Sequence, residues 1–140
     1  MKKYLGIDLG SKTLGLAISE SGIIAHSLTT YRFKEDDYNE AANIIVDVIN
    51  LHQITDVVIG YPKHMNNDVG IRGKISETFK DMLLEKKDVN IVLWDERLST
   101  KSAISAMIKG NERRSKQKQK KDELAAVLIL QNYLDYKGDH

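Results

Sequence analysis

The side chains here with the most chemical promise are carboxylates placed where one element gives way to the next: Asp8, Asp95, Glu96 and Asp122. Asp8 stands between Gly6 and Gly10, so a bulky group can approach it without meeting side chains at those neighbouring positions. Asp95 and Glu96 follow an apolar run, and Asp122 precedes another. Such a set suits metal-assisted phosphodiester cleavage, in which two divalent ions roughly 3.5–4 Å apart stabilise the attacking and leaving oxygens. The chain has no cysteine. The remaining donors are hard, and they favour Mg²⁺ or Mn²⁺. His26, His52, His64 and His140 are scattered, with no pair at the i, i+4 spacing of a zinc helix, and only His64 falls near the acids. Each acid also has a plainer use: Asp8 at a turn, Asp95 or Glu96 as solvated charges, Asp122 as a helix N-cap. Spacing alone does not choose between Asp95 and Glu96.

The elements that must position these acids follow from hydrophobic period. Tyr4 to Leu9 alternates, with Leu5, Ile7 and Leu9 on one face and Tyr4, Gly6 and Asp8 on the other. Thr13 to Ser19 alternates again, and Glu20-Ser21-Gly22 turns into a third strand from Ile23 to Thr30. Turns this short predict an antiparallel meander. From Asp37 the period becomes helical, through Ala41, Ala42, Ile45, Val48, Ile49 and His52. Asp56 to Gly60 is a β-branched strand, Ile71 to Leu83 a second helix, and Asn90 to Trp94 a fifth strand. These last two strands join the sheet in parallel through helical crossovers. A short helix is expected around Ser99 to Ile108 and a final one from about Asp122 to Tyr136, with Ala125, Ala126, Ile129 and Tyr133 facing the sheet. The fold class is α/β: a five-stranded mixed sheet, three antiparallel strands and then two parallel ones, flanked by helices. The strand order places the acids at its carboxyl edge, where open sheets bind ligands.

The 140 residues suit one domain spanning 1–140, with 41% apolar and 29% charged residues. No apolar run approaches the roughly 20 residues of a membrane span, and Met1-Lys2-Lys3-Tyr4 leads straight into strand-like sequence. A cytoplasmic protein without a membrane partner is expected. Net charge is only +1, yet Lys109, Arg113, Arg114, Lys116, Lys118, Lys120 and Lys121 lie close together against Glu112 alone. This low-complexity stretch reads as a loop that orders on binding phosphates, or as a solvated charged loop.

The chain resembles the YqgF/RuvX family of ribonuclease-H-like proteins. Gly6-Ile7-Asp8-Leu9-Gly10 looks like its first-strand motif, and Gly60-Tyr61-Pro62 like its Gly-Leu-Pro element. Asp95-Glu96-Arg97-Leu98-Ser99-Thr100 is similar to its most distinctive hexapeptide, and Asp122-Glu123-Leu124-Ala125-Ala126 through Leu134 to its closing helix. The first motif alone is weak; the hexapeptide with the Asp-led helix is strong. The chain departs from the pattern at His64 and Asn67, where the family usually has asparagine and glycine, and at Gln119 and Lys121 before the last acid.

The resemblance implies a nuclease whose catalytic and metal-holding acids are Asp8, Glu96 and Asp122, thereby selecting Glu96. On this reading Asp8 bridges two Mg²⁺ or Mn²⁺ ions, and Glu96 and Asp122 each complete one site. Arg97, Arg113, Arg114, Lys116, Lys118 and Lys120 would hold the phosphate backbone. The expected function is 5′-end processing of precursor 16S ribosomal RNA, with the small ribosomal subunit as a partner. Holliday-junction cleavage is the alternative, and the protein would work as a monomer or a homodimer. A non-catalytic RNA- or ribosome-binding factor is a third reading. Against it, acids near phosphates would only repel. An actin-like or sugar-kinase reading of Asp8-Leu9-Gly10-Ser11 needs two such domains, which 140 residues do not supply.

Overall fold

The computed structural model describes residues 2–61, 70–95 and 114–138, with side chains in the last segment from residue 124 onward. Strands β1 (Tyr4–Leu9), β2 (Thr13–Ser19), β3 (His26–Arg32), β4 (Asp56–Tyr61) and β5 (Asn90–Asp95) form one sheet in the order β3-β2-β1-β4-β5. β1 pairs antiparallel with β2 and parallel with β4, so the chain leaves β1 in opposite directions across the sheet. That point, beside the carboxyl end of β1, is the topological switch of the fold.

Strand alternation divides the core in two. Leu5, Ile7, Leu14, Leu16 and Ile59 face helices α1 (Tyr38–His52) and α2 (Ile71–Lys86). Tyr4, Ala17 and Val58 face helix α3 (Arg114–Gly138) through Ala126, Ile129, Leu130 and Leu134. α1 begins where the sequence places it: the Asp37 carboxylate accepts the Glu40 N–H at 3.1 Å, a side-chain N-cap. His52 closes this helix at the edge of the core, partly buried.

Two expectations are corrected. β3 starts at His26, not Ile23, because the preceding residues are committed to a turn. The Ser21 hydroxyl accepts the N–H groups of both Ile23 and Ile24, and Gly22 takes a left-handed φ of 77°. Ile23 and Ile24 are therefore exposed despite being apolar. The last helix begins at Arg114 rather than Asp122, so the segment 114–121 is helical and not a loop. Its Lys, Arg and Gln residues are good helix formers, and local propensity prevails where no apolar period marks the element. Asp122 lies within α3 and is not its N-cap. The short helix expected around Ser99 to Ile108 lies outside the described residues.

α3 is tied to the β2–β3 turn by Gln131, one residue past Leu130. Its carbonyl accepts the Ala25 N–H at 2.8 Å, and its amide donates to the Ile23 carbonyl at 2.8 Å and to Asp135 at 2.9 Å. Gln131→Leu leaves two backbone groups without these partners and should cost about 1–2 kcal/mol of stability in a denaturant titration. An unchanged midpoint would mean that water replaces these bonds freely.

Candidate active site

Asp8 is the penultimate residue of β1 and is partly buried. Its position on the α3 face follows from strand parity with Tyr4 and Gly6. On one side its register partner is Gly15. On the other, Ile7 pairs with Ile59, so the next row sets Gly60 beside Asp8, and Gly60 pairs with Trp94. The carboxylate thus rises between two neighbours that have no side chains. Larger residues at those two positions would crowd it.

Gly6, two residues earlier on the same face, explains how α3 comes so close. A Cβ there would stand 2.7 Å from the Leu130 Cβ and 3.0 Å from the Ala126 carbonyl oxygen. Only a glycine lets the helix backbone settle onto β1. The helix runs antiparallel to the strand. Tyr4 meets Tyr133 with ring centroids 6.4 Å apart, Lys137 donates to the Tyr4 hydroxyl at 3.1 Å, and Gly6 lies against Ala126 and Leu130. Two strand residues advance about 6.7 Å and one helical turn about 5.4 Å, so the next step places Asp8 near the level of residue 122. Position 122 also precedes Ala126 by one turn on the same stripe. The backbone therefore brings two of the three expected acids to one level of the sheet.

The third, Glu96, lies outside the described residues, as do Arg97, Arg113, His64 and Asn67. Asp95 pairs with Tyr61 and shares the parity of Leu93, which packs on the α1 and α2 side. Asp95 is thus on the face opposite Asp8, a distinction that the spacing of residues 95 and 96 could not make. Arg114, Lys116, Lys118 and Lys120 all fall in the first two turns of α3, between about half a turn and two turns ahead of Asp122. Among the described residues no group of three or more His, Cys, Asp or Glu side chains converges on a metal position.

On the other side of the β1 end stands a group that sequence reading missed. Arg72, in the first turn of α2, donates from Nη2 to the Leu9 carbonyl at 2.8 Å. The same helix is fixed to the end of β4. The buried Ser76 hydroxyl donates to the Gly60 carbonyl at 3.3 Å, and the Tyr61 hydroxyl bonds Glu77 at 3.1 Å. Burial, reinforced by that bond, pushes the Tyr61 phenol up. Burial also raises Tyr38, while the neighbouring Arg72 charge pulls it the other way.

Comparison with known proteins fits this arrangement. The RuvX family model, described as Holliday junction resolvase, matches residues 2–136. A protein of onion yellows phytoplasma (strain OY-M), named as a candidate pre-16S rRNA nuclease, is 51% identical over 94% of this chain and 88% of its own length. A Staphylococcus aureus (strain JH9) protein of the same name is 47% identical over 95% of each. Among solved structures, Thermus thermophilus RuvC in complex with a Holliday junction superposes with a TM-score of 0.64, covering 98% of this chain and 97% of that one at 15% identity. The fold is ribonuclease-H-like, and with a family match across nearly all of its length the chain belongs to the RuvX family.

Proposed function

We propose that this RuvX-family nuclease hydrolyses a phosphodiester near the 5′ end of precursor 16S ribosomal RNA, using Asp8, Glu96 and Asp122 with divalent metal. The observation that carries this reading is Asp8 at the switch point, between Gly15 and Gly60 and near the level of residue 122 on α3. The relatives named for pre-16S rRNA favour the RNA substrate over other nucleic acids.

The donor set suits a hard divalent ion. Asp8 offers carboxylate oxygens on a row that a side chain at position 15 or 60 would narrow, and the chain has no thiolate to recruit a softer metal. Asp8, Glu96 and Asp122 would hold Mg²⁺ or Mn²⁺, in all two ions. When bound, such ions stabilise charge on the attacking and leaving oxygens. The protein's own part is placement. β1 presents Asp8, and α3 would supply Asp122 from a position near the same level of the sheet. The basic positions Arg113, Arg114, Lys116, Lys118 and Lys120, with Arg97, draw in the phosphate backbone. Contacts of that kind carry no sequence information, so the choice of cutting site falls to RNA shape or to the small ribosomal subunit. Among the described residues no helix is long and apolar enough to cross a membrane, which accords with work in the cytoplasm.

A second reading, cleavage of Holliday junctions, is favoured by the description of the family and by the junction bound to the RuvC neighbour. One experiment addresses both. End-labelled precursor 16S RNA and a synthetic four-way DNA junction are incubated with the protein in Mg²⁺, in Mn²⁺ and in EDTA. The expected result is metal-dependent cutting of the RNA at a defined 5′ position. Cutting of the junction alone would replace the RNA reading with the resolvase one, and cutting of neither would sink both.

A further inference from the structure

Arg72 is placed by an exception in the sheet. Asp56 N–H donates to the Lys3 carbonyl at 3.1 Å, which sets the parity of the parallel ladder: the carbonyls of Lys3, Leu5, Ile7 and Leu9 all face β4. Continued one step past Tyr61, the ladder would draw on the N–H of residue 62 to satisfy the Leu9 carbonyl. Residue 62 is proline, which has no N–H. The Arg72 guanidinium supplies the donor instead, at 2.8 Å. A neutral side chain would satisfy one carbonyl equally well. An arginine brings five N–H donors and a permanent charge, and the side chain remains exposed after this bond is made.

We propose that Arg72 forms a phosphate subsite at the carboxyl end of β1, gripping a backbone phosphate next to the one cleaved at Asp8. The inference rests on the nuclease reading above. Leu9 follows Asp8 directly but belongs to the α1 and α2 face, whereas Asp8 belongs to the α3 face. A strand of nucleic acid crossing this edge therefore meets the carboxylate on one side of β1 and the guanidinium on the other. A carboxylate that would hold metal for the scissile phosphate and a cation one residue away across the strand suit two successive phosphates. The Leu9 carbonyl and the Tyr38 side chain anchor the guanidinium in advance, so little side-chain freedom remains to be lost when its remaining N–H groups take a phosphate oxygen. The Ser76 and Glu77 bonds to the end of β4 hold the helix that carries it. The basic positions of α3 lie on the Asp8 side, so Arg72 gives the track a second bank.

The test is binding of the end-labelled precursor 16S RNA at a series of salt concentrations. It is done in an Asp8→Asn background to prevent cutting, with thermal unfolding measured on the same proteins. Arg72→Gln should weaken binding about 10-fold, the range of a hydrogen bond to a charged group. It should also lower the salt slope by about 0.7, the share of one single-strand phosphate. Arg72→Lys, which keeps the charge, should keep the slope. A lower melting temperature with an unchanged slope in Arg72→Gln would overturn the proposal and leave Arg72 as a cap on the Leu9 carbonyl. Should Arg72→Gln fold poorly, neutral methylphosphonate linkages can be placed one at a time beside the cut. One of them must weaken binding to the Asp8→Asn protein, and no sensitive linkage would equally overturn the subsite. Absence of any RNA binding by the protein with Arg72 intact would sink the nuclease reading itself along with the subsite.

Discussion

Asp8→Asn should reduce metal-dependent cleavage of the precursor RNA at least about 100-fold, the upper end of what loss of a mere supporting group costs a metal site. The change removes one charge and almost no volume. Asp8 is only partly buried and Gly15 is its register partner on β2, so an amide of the same shape fits the same space. Stability should stay within about 1 kcal/mol of the parent, readable by thermal unfolding. Metal titration sharpens the test. A weakened ligand set demands more Mn²⁺, so raising the ion should recover part of the lost rate. Full activity in the variant would remove Asp8 from the site. Lost activity together with lost folding would leave the chemistry unassigned and point to an architectural role.

Gly6→Val should produce that second pattern. Valine is a better strand residue than glycine, and strand propensity can favour it by up to about 1 kcal/mol. The contact outweighs this. Its Cβ would lie 2.7 Å from the Leu130 Cβ and 3.0 Å from the Ala126 carbonyl oxygen, neither of which is the flexible end of a side chain. Overpacking of this kind costs about 1–3 kcal/mol, and two further methyl groups put valine at or beyond the upper figure. The net loss, about 2 kcal/mol or more, should lower the melting temperature by roughly 6 °C or more for a chain of this size. Cleavage should fall too, because any relief lifts α3 away from β1 and carries position 122 with it. Gly6→Ala should fall between. A valine variant as stable as the parent would mean that α3 does not rest on β1 as described.

Much of this architecture is legible in residue order. β1 and α1 are announced by clean periods; the five strands and their pairing senses follow from turn lengths and crossovers. Two boundaries are not legible, for different reasons. Ile23 and Ile24 look like strand residues, but the Ser21 hydroxyl and the left-handed Gly22 before them claim their backbone for a turn. Residues 114–121 have no apolar member to show a helical period, so their propensity alone decides. In the site, Asp8 stands out by its flanking glycines in sequence, but Gly15 and Gly60 come beside it only through register. The separation of Asp95 from Asp8 likewise needs strand parity. Arg72 has no motif around it. Its one signal is Pro62, which removes the N–H that the Leu9 carbonyl would otherwise have used, and that reads as a signal only once β1 and β4 are known to be neighbours.

The 25 residues of α3 form one uninterrupted helix, about 37 Å long at the usual rise. One end carries the basic positions, the middle lies on Gly6, and the other end is held by Lys137, which donates to the Tyr4 hydroxyl. A rod fixed in this way acts as a lever with its fulcrum at Gly6. On the proposed function, tension from RNA on the basic end would tilt the same body that sets the height of position 122. On that reading, grip and cutting geometry would be one mechanical variable, and loosening the Lys137 mooring would blunt catalysis without touching a single residue near the cut.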